Sequence, residues 1–76
     1  MTLILAHVAN TQCAAGFTGT AQHLPGGDVR VRVTRMTDGA SRFVDIPARQ
    51  MAYFSFESLS AWVCDYVDAL CRELAC

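Results

Sequence analysis

The residues able to do chemistry are few and scattered. Histidine occurs at positions 7 and 23 and cysteine at 13, 64, 71 and 76, and the carboxylates are Asp28, Asp38, Asp45, Glu57, Asp65, Asp68 and Glu73. A structural metal site draws on ligands at chelating intervals, such as a C-x-x-C pair or two histidines one helical turn apart. Neither spacing occurs, so a metal would have to recruit His7, His23 and cysteines from across the fold. His7 lies in an apolar run and reads as a core histidine bonded through one nitrogen, whereas His23 stands beside a turn and reads as solvated. No pair of titratable groups is spaced to divide the roles of general acid and base, and a Cys–His nucleophile needs a geometry that spacing does not supply. The glycines at 16, 19, 26, 27 and 39 match neither a P-loop nor a dinucleotide fingerprint and read as turn residues. The expectation is a protein that is not an enzyme and has no metal or cofactor.

What the sequence does specify is a frame. From Val29 to Pro47, apolar and polar residues alternate around Asp38-Gly39, the pattern of a β-hairpin. A two-residue type I′ turn at Asp38-Gly39 would set Val33 opposite Val44 and Val31 opposite Ile46 on the buried face. On the outer face it would pair Arg32 with Asp45 and Thr34 with Phe43. The same register sets Arg35 opposite Arg42, in phase with the valines, and so requires the hairpin to bulge or leave the core near its tip. Pro47 has no amide hydrogen and ends the second strand.

The C-terminal third reads as a helix, because Leu59, Trp62, Val63, Tyr66, Val67, Leu70 and Leu74 recur at helical spacing and form one apolar stripe. Ser55 or Ser58 is the N-cap, and Glu57 suits the positive end of the helix dipole. Asp65, Asp68 and Arg72 fall on the opposite face, with Asp68 and Arg72 in the favourable i,i+4 order. That face is first a solvated one and second a partner-binding one. Upstream, Leu3 to Val8 is a short apolar run that reads as a strand buried on both faces, Ala9 to Gly16 as a loop, and Phe17 to Leu24 as a strand interrupted by Gly19. Pro25-Gly26-Gly27-Asp28 is a turn, and Ala48 to Phe54 is a connector, a short helix or an extra strand. The expected fold is a single small α+β domain over residues 1–76, with a three- to four-stranded antiparallel sheet packed against a C-terminal amphipathic helix.

A chain of 76 residues buries only roughly 60% of its unfolded surface. Its apolar fraction of 53% exceeds what so small a core needs, so part of it is expected at an interface, in a homodimer or with a protein partner. Tyr53, Phe54 and Phe56, with Met51, form an aromatic cluster that reads first as a core lid and second as an interface anchor. The formal charge of −1 argues against general nucleic-acid binding. Its distribution is uneven: residues 1–50 carry +2 and residues 51–76 carry −3. The basic strand and the acidic helix are therefore two docking surfaces, and the candidate contact residues are Arg30, Arg32, Tyr53, Asp65, Asp68 and Arg72. All six basic residues are arginine. With abundant Ala, Val, Gly and Thr, this points to the GC-rich coding sequence of a bacterium or its phage.

The four cysteines would form two disulfides in a secreted domain. Here the N-terminal apolar run has no basic flank and is too short for a signal core, and no segment approaches the roughly 18 apolar residues of a membrane span. A cytoplasmic protein of the bacterial host, with no membrane association and with reduced thiols, is the expectation. Cys64 and Cys71 share a helical phase but stand about 10 Å apart along the axis, too far to bridge. They read as small hydrophobes at the edge of the stripe or as contacts in a dimer, and Cys76 as an exposed terminal thiol.

The order of these features resembles a known group. A hairpin with V-R-V alternation from Val29 to Val33, a turn ending in Gly39, a second strand through Phe43 and a helix opening Phe56-Glu57-Ser58-Leu59-Ser60-Ala61-Trp62 resemble the small phage-encoded anti-CRISPR proteins of the type I-F group. The likeness covers roughly residues 28–63 and is greatest to members with a four-stranded antiparallel sheet flanked by helices. This chain departs from them in a last helix that runs unbroken to the end and in its cysteines. The resemblance implies a non-enzymatic inhibitor that docks on Cas subunits of an RNA-guided type I surveillance complex, or on its nuclease, and blocks DNA access or nuclease recruitment. Arg30 and Arg32, or the helix face with Asp65 and Asp68, would make the contact. The alternative is a small homodimeric regulatory module that binds nucleic acid through the arginine-bearing strand.

Overall fold

The computed structural model describes residues 2–75, so the terminal thiol expected at Cys76 lies outside the described residues. Three antiparallel strands, β1 (Phe17–His23), β2 (Val29–Arg35) and β3 (Ser41–Ile46), form a meander in the order β1-β2-β3. Helices α1 (Thr2–Gln12), α2 (Ala48–Tyr53) and α3 (Phe56–Ala75) complete the chain. The architecture is α+β, with α3 packed on β2 and β3 and α1 packed on β1 and α3.

The run from Leu3 to Val8 is helical, not a fourth strand, and α1 extends into the segment expected as a loop. A six-residue run with five apolar residues and His7 fits either state, and tertiary packing decides between them. Leu5 and Ala9, one helical turn apart, are fully buried, while Leu3 is 86% exposed. His7 is therefore an exposed residue of a helix, not a core histidine of a strand. Gly19 is where α1 comes closest to the sheet. A Cβ there would stand 2.6 Å from the Ala9 carbonyl oxygen, so only glycine admits this packing. The Gly19 amide, directed off the edge of β1, donates to Asn10 Oδ1 at 3.2 Å, and α1 thereby closes that edge.

The hairpin forms in a register two residues away from the one a two-residue turn sets. Val31 pairs with Val44, Val29 with Ile46, Arg30 with Asp45 and Arg32 with Phe43. The connection is a four-residue loop, Met36 to Gly39, in which Arg35 N–H donates to the Ala40 carbonyl and Gly39 N–H to the Arg35 carbonyl. Gly39 alone takes a positive φ, of 76°, and Asp38 does not, so the turn is not type I′. A shift of two residues keeps every side chain on its face, so the buried set is unchanged while the cross-strand partners differ. Arg42 now stands opposite Val33 and Arg35 opposite Ala40, which removes the like-charge pair and the need for a bulge.

Arg35 keeps its inward phase for a reason. Its Nε and Nη2 bond the two Asp38 carboxylate oxygens at 2.9 and 2.6 Å, and its Nη1 donates to the Leu74 carbonyl in the last turn of α3. A cation there satisfies a carbonyl at the negative end of the helix dipole and ties the hairpin tip to α3. Asp28 works similarly at the other end of the sheet. Its carboxylate accepts the Ala48 amide at 2.8 Å, supplying from the β1–β2 turn the cap that Pro47 lacks.

Ser55 is the N-cap of α3, its Oγ accepting from the Ser58 amide at 3.3 Å. Leu59, Val63, Val67, Leu70, Cys71 and Leu74 bury one stripe against Leu5, Ala9, Val31, Val33 and Ile46, with Trp62 and Tyr66 half-buried beside them. Each fully buried Leu, Val or Ile contributes about 1.5–3 kcal/mol over its exposed state. Cys13, at the end of α1, joins this core next to Cys71. Burial, and then the neighbouring Cys71 thiol, push the Cys13 thiol up to about 11. Cys13, Cys64 and Cys71 are all free. Among the described residues, no helix is long and apolar enough to cross a membrane.

Candidate functional site

Both long helices pack on the face of the sheet that carries Val31, Val33 and Ile46, and among the described residues the buried core lies wholly on that face. The strand pleat sends Val29, Val31 and Val33 inward, and therefore sends Arg30, Arg32 and Thr34 outward. The two registers place three rows across this outer face. Gln22, Arg30 and Asp45 form one, Thr20, Arg32 and Phe43 the next, and Thr18, Thr34 and Ser41 the third.

The chemistry is concentrated at the β2–β3 side. Phe43 is 49% exposed, and the Arg30 guanidinium carbon lies 4.0 Å from its ring centroid. Arg30 also forks onto Asp45, Nε to Oδ1 at 2.8 Å and Nη2 to Oδ2 at 3.1 Å. This bidentate bond holds the Asp45 carboxyl below its ordinary value and raises Arg30, so the pair stays charged and mutually neutralised. Arg32 differs. Its guanidinium carbon is 5.3 Å from the Phe43 centroid, and its Nη1 donates to Ser41 Oγ at 3.3 Å. Among the described residues, Arg32 forms no ion pair and Asp45 is taken by Arg30. The expected pairing of Arg32 with Asp45 is thus corrected by the register, and Arg32 is left without an ion pair, acting on Asp45 only through its field.

A half-exposed aromatic ring flanked by two oriented guanidinium groups has the composition of an interface centre, where Arg and aromatic residues are enriched. Its remaining residues are hydroxyl- and amide-bearing. No polar group on it is positioned as a nucleophile with an adjacent base, since the serine and threonine hydroxyls have no histidine or free carboxylate beside them in the rows.

The other candidate residues lie elsewhere. Asp65, Asp68 and Arg72 are exposed on α3, in the helical layer and not on the open face. Asp68 accepts from Gln12 Nε2 at 3.1 Å, a tie to α1 in place of the expected pair with Arg72. Tyr53 ends α2 and is 87% exposed, while its neighbour Phe54 packs on Trp62 with ring centroids 4.5 Å apart. The aromatic cluster therefore splits: Phe54 and Met51 pack onto the fold and Tyr53 projects from it. The structure brings Arg30 and Arg32 together with three residues that sequence reading did not select, Phe43, Asp45 and Ser41. The signal for them was present in the opposition of Arg35 to Arg42, a destabilising pair that vanishes when the turn lengthens by two residues.

A shallow groove of about 240 Å³ lies between α1 and α3, lined by His7, Val8, Thr11, Gln12 and Cys64. No hydrogen bond joins His7 to Cys64, and among the described residues no three of His, Cys, Asp and Glu stand close enough to share a metal ion. Comparison with known proteins finds no matching family model, no similar curated protein and no similar solved structure.

Proposed function

We propose that this chain is a non-enzymatic binding protein that acts by occupying a protein partner with the open face of its sheet. The observation that carries this reading is the cluster of Phe43, Arg30 and Arg32, in which Arg32 retains an unpaired charge beside a half-exposed ring. Phe43 supplies apolar contact area, the Arg30–Asp45 fork fixes the guanidinium above it, and Arg32 is free to meet a carboxylate. The partner surface that fits is therefore acidic with an apolar centre. The resemblance to type I-F anti-CRISPR proteins supplies the specific form of the proposal: the surface belongs to a Cas subunit of a type I surveillance complex or to its nuclease, and its occupation blocks DNA access or recruitment.

Charge supports a protein over a nucleic acid as partner. Phosphate binding grows with the number of uncompensated cations, and on this face Asp45 neutralises Arg30. The test is to mix purified type I surveillance complex, or its nuclease, with this protein and follow co-elution and target-DNA binding. A stable complex that survives moderate salt and excludes DNA or nuclease is the expected result. Absence of any complex overturns the inhibitor reading, and binding to single-stranded DNA or RNA that falls steeply with salt would favour the regulatory alternative.

A further inference from the structure

The two edges of the sheet are not alike. On β1, the outward amide of Gly19 is taken by Asn10, and α1 stands against the strand. On β3 nothing corresponds to this. The Arg35 amide donates to the Ala40 carbonyl across the hairpin, so by the alternation of an antiparallel ladder Arg42, Val44 and Ile46 exchange bonds with β2. The outward Gly19 amide gives the same phase, because it makes Gly19 and Val33 a non-hydrogen-bonded pair and turns the Val33 amide toward β3. Ser41, Phe43 and Asp45 therefore direct their N–H and C=O groups away from the sheet. Among the described residues, no backbone bond from a turn or loop reaches these groups.

We infer that the free edge of β3 pairs with β3 of a second copy of this chain, making a two-fold dimer with one continuous six-stranded sheet. The sequence of the edge is self-complementary about Phe43. Setting Phe43 opposite its symmetry mate sets Ser41 opposite Asp45 on both sides of the axis, and all three edge-directed residues then fall in hydrogen-bonded pairs. The Ser41 hydroxyl can donate to the facing carboxylate, and no like charges stand opposite each other on the outer face. The two Phe43 rings, each 49% exposed in a single copy, become neighbours on the open face, where their outward sides stay available to a partner. With the β1 edge obstructed by α1 at Gly19, the β3 edge is the one available for pairing, and an isologous contact between two β3 edges uses both of them and closes the assembly at two. On the outer face the middle row would run Thr20, Arg32, Phe43 and then the same residues in reverse, with an Arg32 on each side of an aromatic pair.

This inference rests on the edge and does not depend on the partner proposed above, so it is tested on the protein alone. Sedimentation equilibrium over a concentration series gives the assembly state, and amide exchange by NMR at the dimer-forming concentration locates the contact. The expected result is a mass of twice the 8.3 kDa chain, with protection of the Ser41, Phe43 and Asp45 amides that is lost on dilution. A monomer at every concentration, or a dimer whose Ser41, Phe43 and Asp45 amides exchange as freely as those of the hairpin loop, overturns it. Phe43→Pro removes the central edge amide without removing a β2–β3 bond and should weaken dimerisation at least tenfold. Phe43→Lys keeps that amide but brings two ammonium groups together on the two-fold axis, and should do the same. A folded Phe43→Lys protein that dimerises like the parent contradicts the inference even where the proline variant fails to fold.

Discussion

At the scale of single residues, three positions do work that their types alone do not announce. Gly19 is required because the α1 backbone occupies the space of its missing Cβ, 2.6 Å from the Ala9 oxygen. Gly19→Ala must push α1 off the sheet, and a loss of about 1–3 kcal/mol is expected in urea denaturation. Ser60, in the second turn of α3, carries a buried hydroxyl oxygen with no hydrogen-bond partner among the described residues. Ser60→Ala removes that unsatisfied group and improves helix propensity, so it should raise stability by about 1 kcal/mol in the same assay. Cys13, with its thiol pushed up to about 11, holds almost no thiolate near neutral pH. Alkylation at pH 8 should therefore modify Cys13 far more slowly in the folded protein than in urea. Equal rates in the two conditions would contradict the burial described for it.

At the scale of elements, the Arg35 clasp joins the hairpin loop to the end of α3. Its fork, followed by the Ala40 amide, holds the Asp38 carboxyl at about 2, against an ordinary value of 3.8. A carboxyl whose folded value is depressed contributes stability above its unfolded value and loses it as pH falls through its folded value. The Asp38 contribution is thus complete above about pH 4 and lost on acidification toward pH 2. An NMR titration of the Asp38 side chain should give a midpoint near 2 in the parent, returning toward 3.8 in Arg35→Gln, with faster amide exchange in the last turn of α3. The same elements show what a sequence can disclose. Alternation over Val29 to Ile46 and the stripe from Leu59 to Leu74 each specify one face, and the structure buries those faces. Alternation cannot separate two registers that differ by two residues, so the turn decides, and Gly39 alone in the left-handed region selects the longer loop. The partnership of Arg30, Phe43 and Asp45 was hidden by that single choice. The run from Leu3 to Val8, five apolar residues and His7, is ambiguous because neither strand nor helix periodicity shows in so short a stretch, and the burial of Leu5 and Ala9 against the sheet and α3 settles it.

At the scale of the whole molecule, the layering separates two surfaces of opposite character. The sheet presents Arg30, Arg32 and Phe43 on its open side, and α3 presents Asp65, Asp68 and Arg72 in the helical layer. The proposed function assigns the partner to the sheet side, and a pair of charge-reversed proteins distinguishes the two surfaces. Neither set of side chains belongs to the core, so both variants should retain the parent circular dichroism and unfolding transition. The measurement that bears most directly on the account is the affinity of a purified type I surveillance complex, or its nuclease, for three proteins side by side: the parent, Arg32→Glu, and the double variant Asp65→Arg with Asp68→Arg. Loss of at least tenfold in affinity with Arg32→Glu, and parent-like binding by the double variant, is the predicted result. Parent-like binding by Arg32→Glu together with loss in the double variant would contradict the account and move the contact to α3.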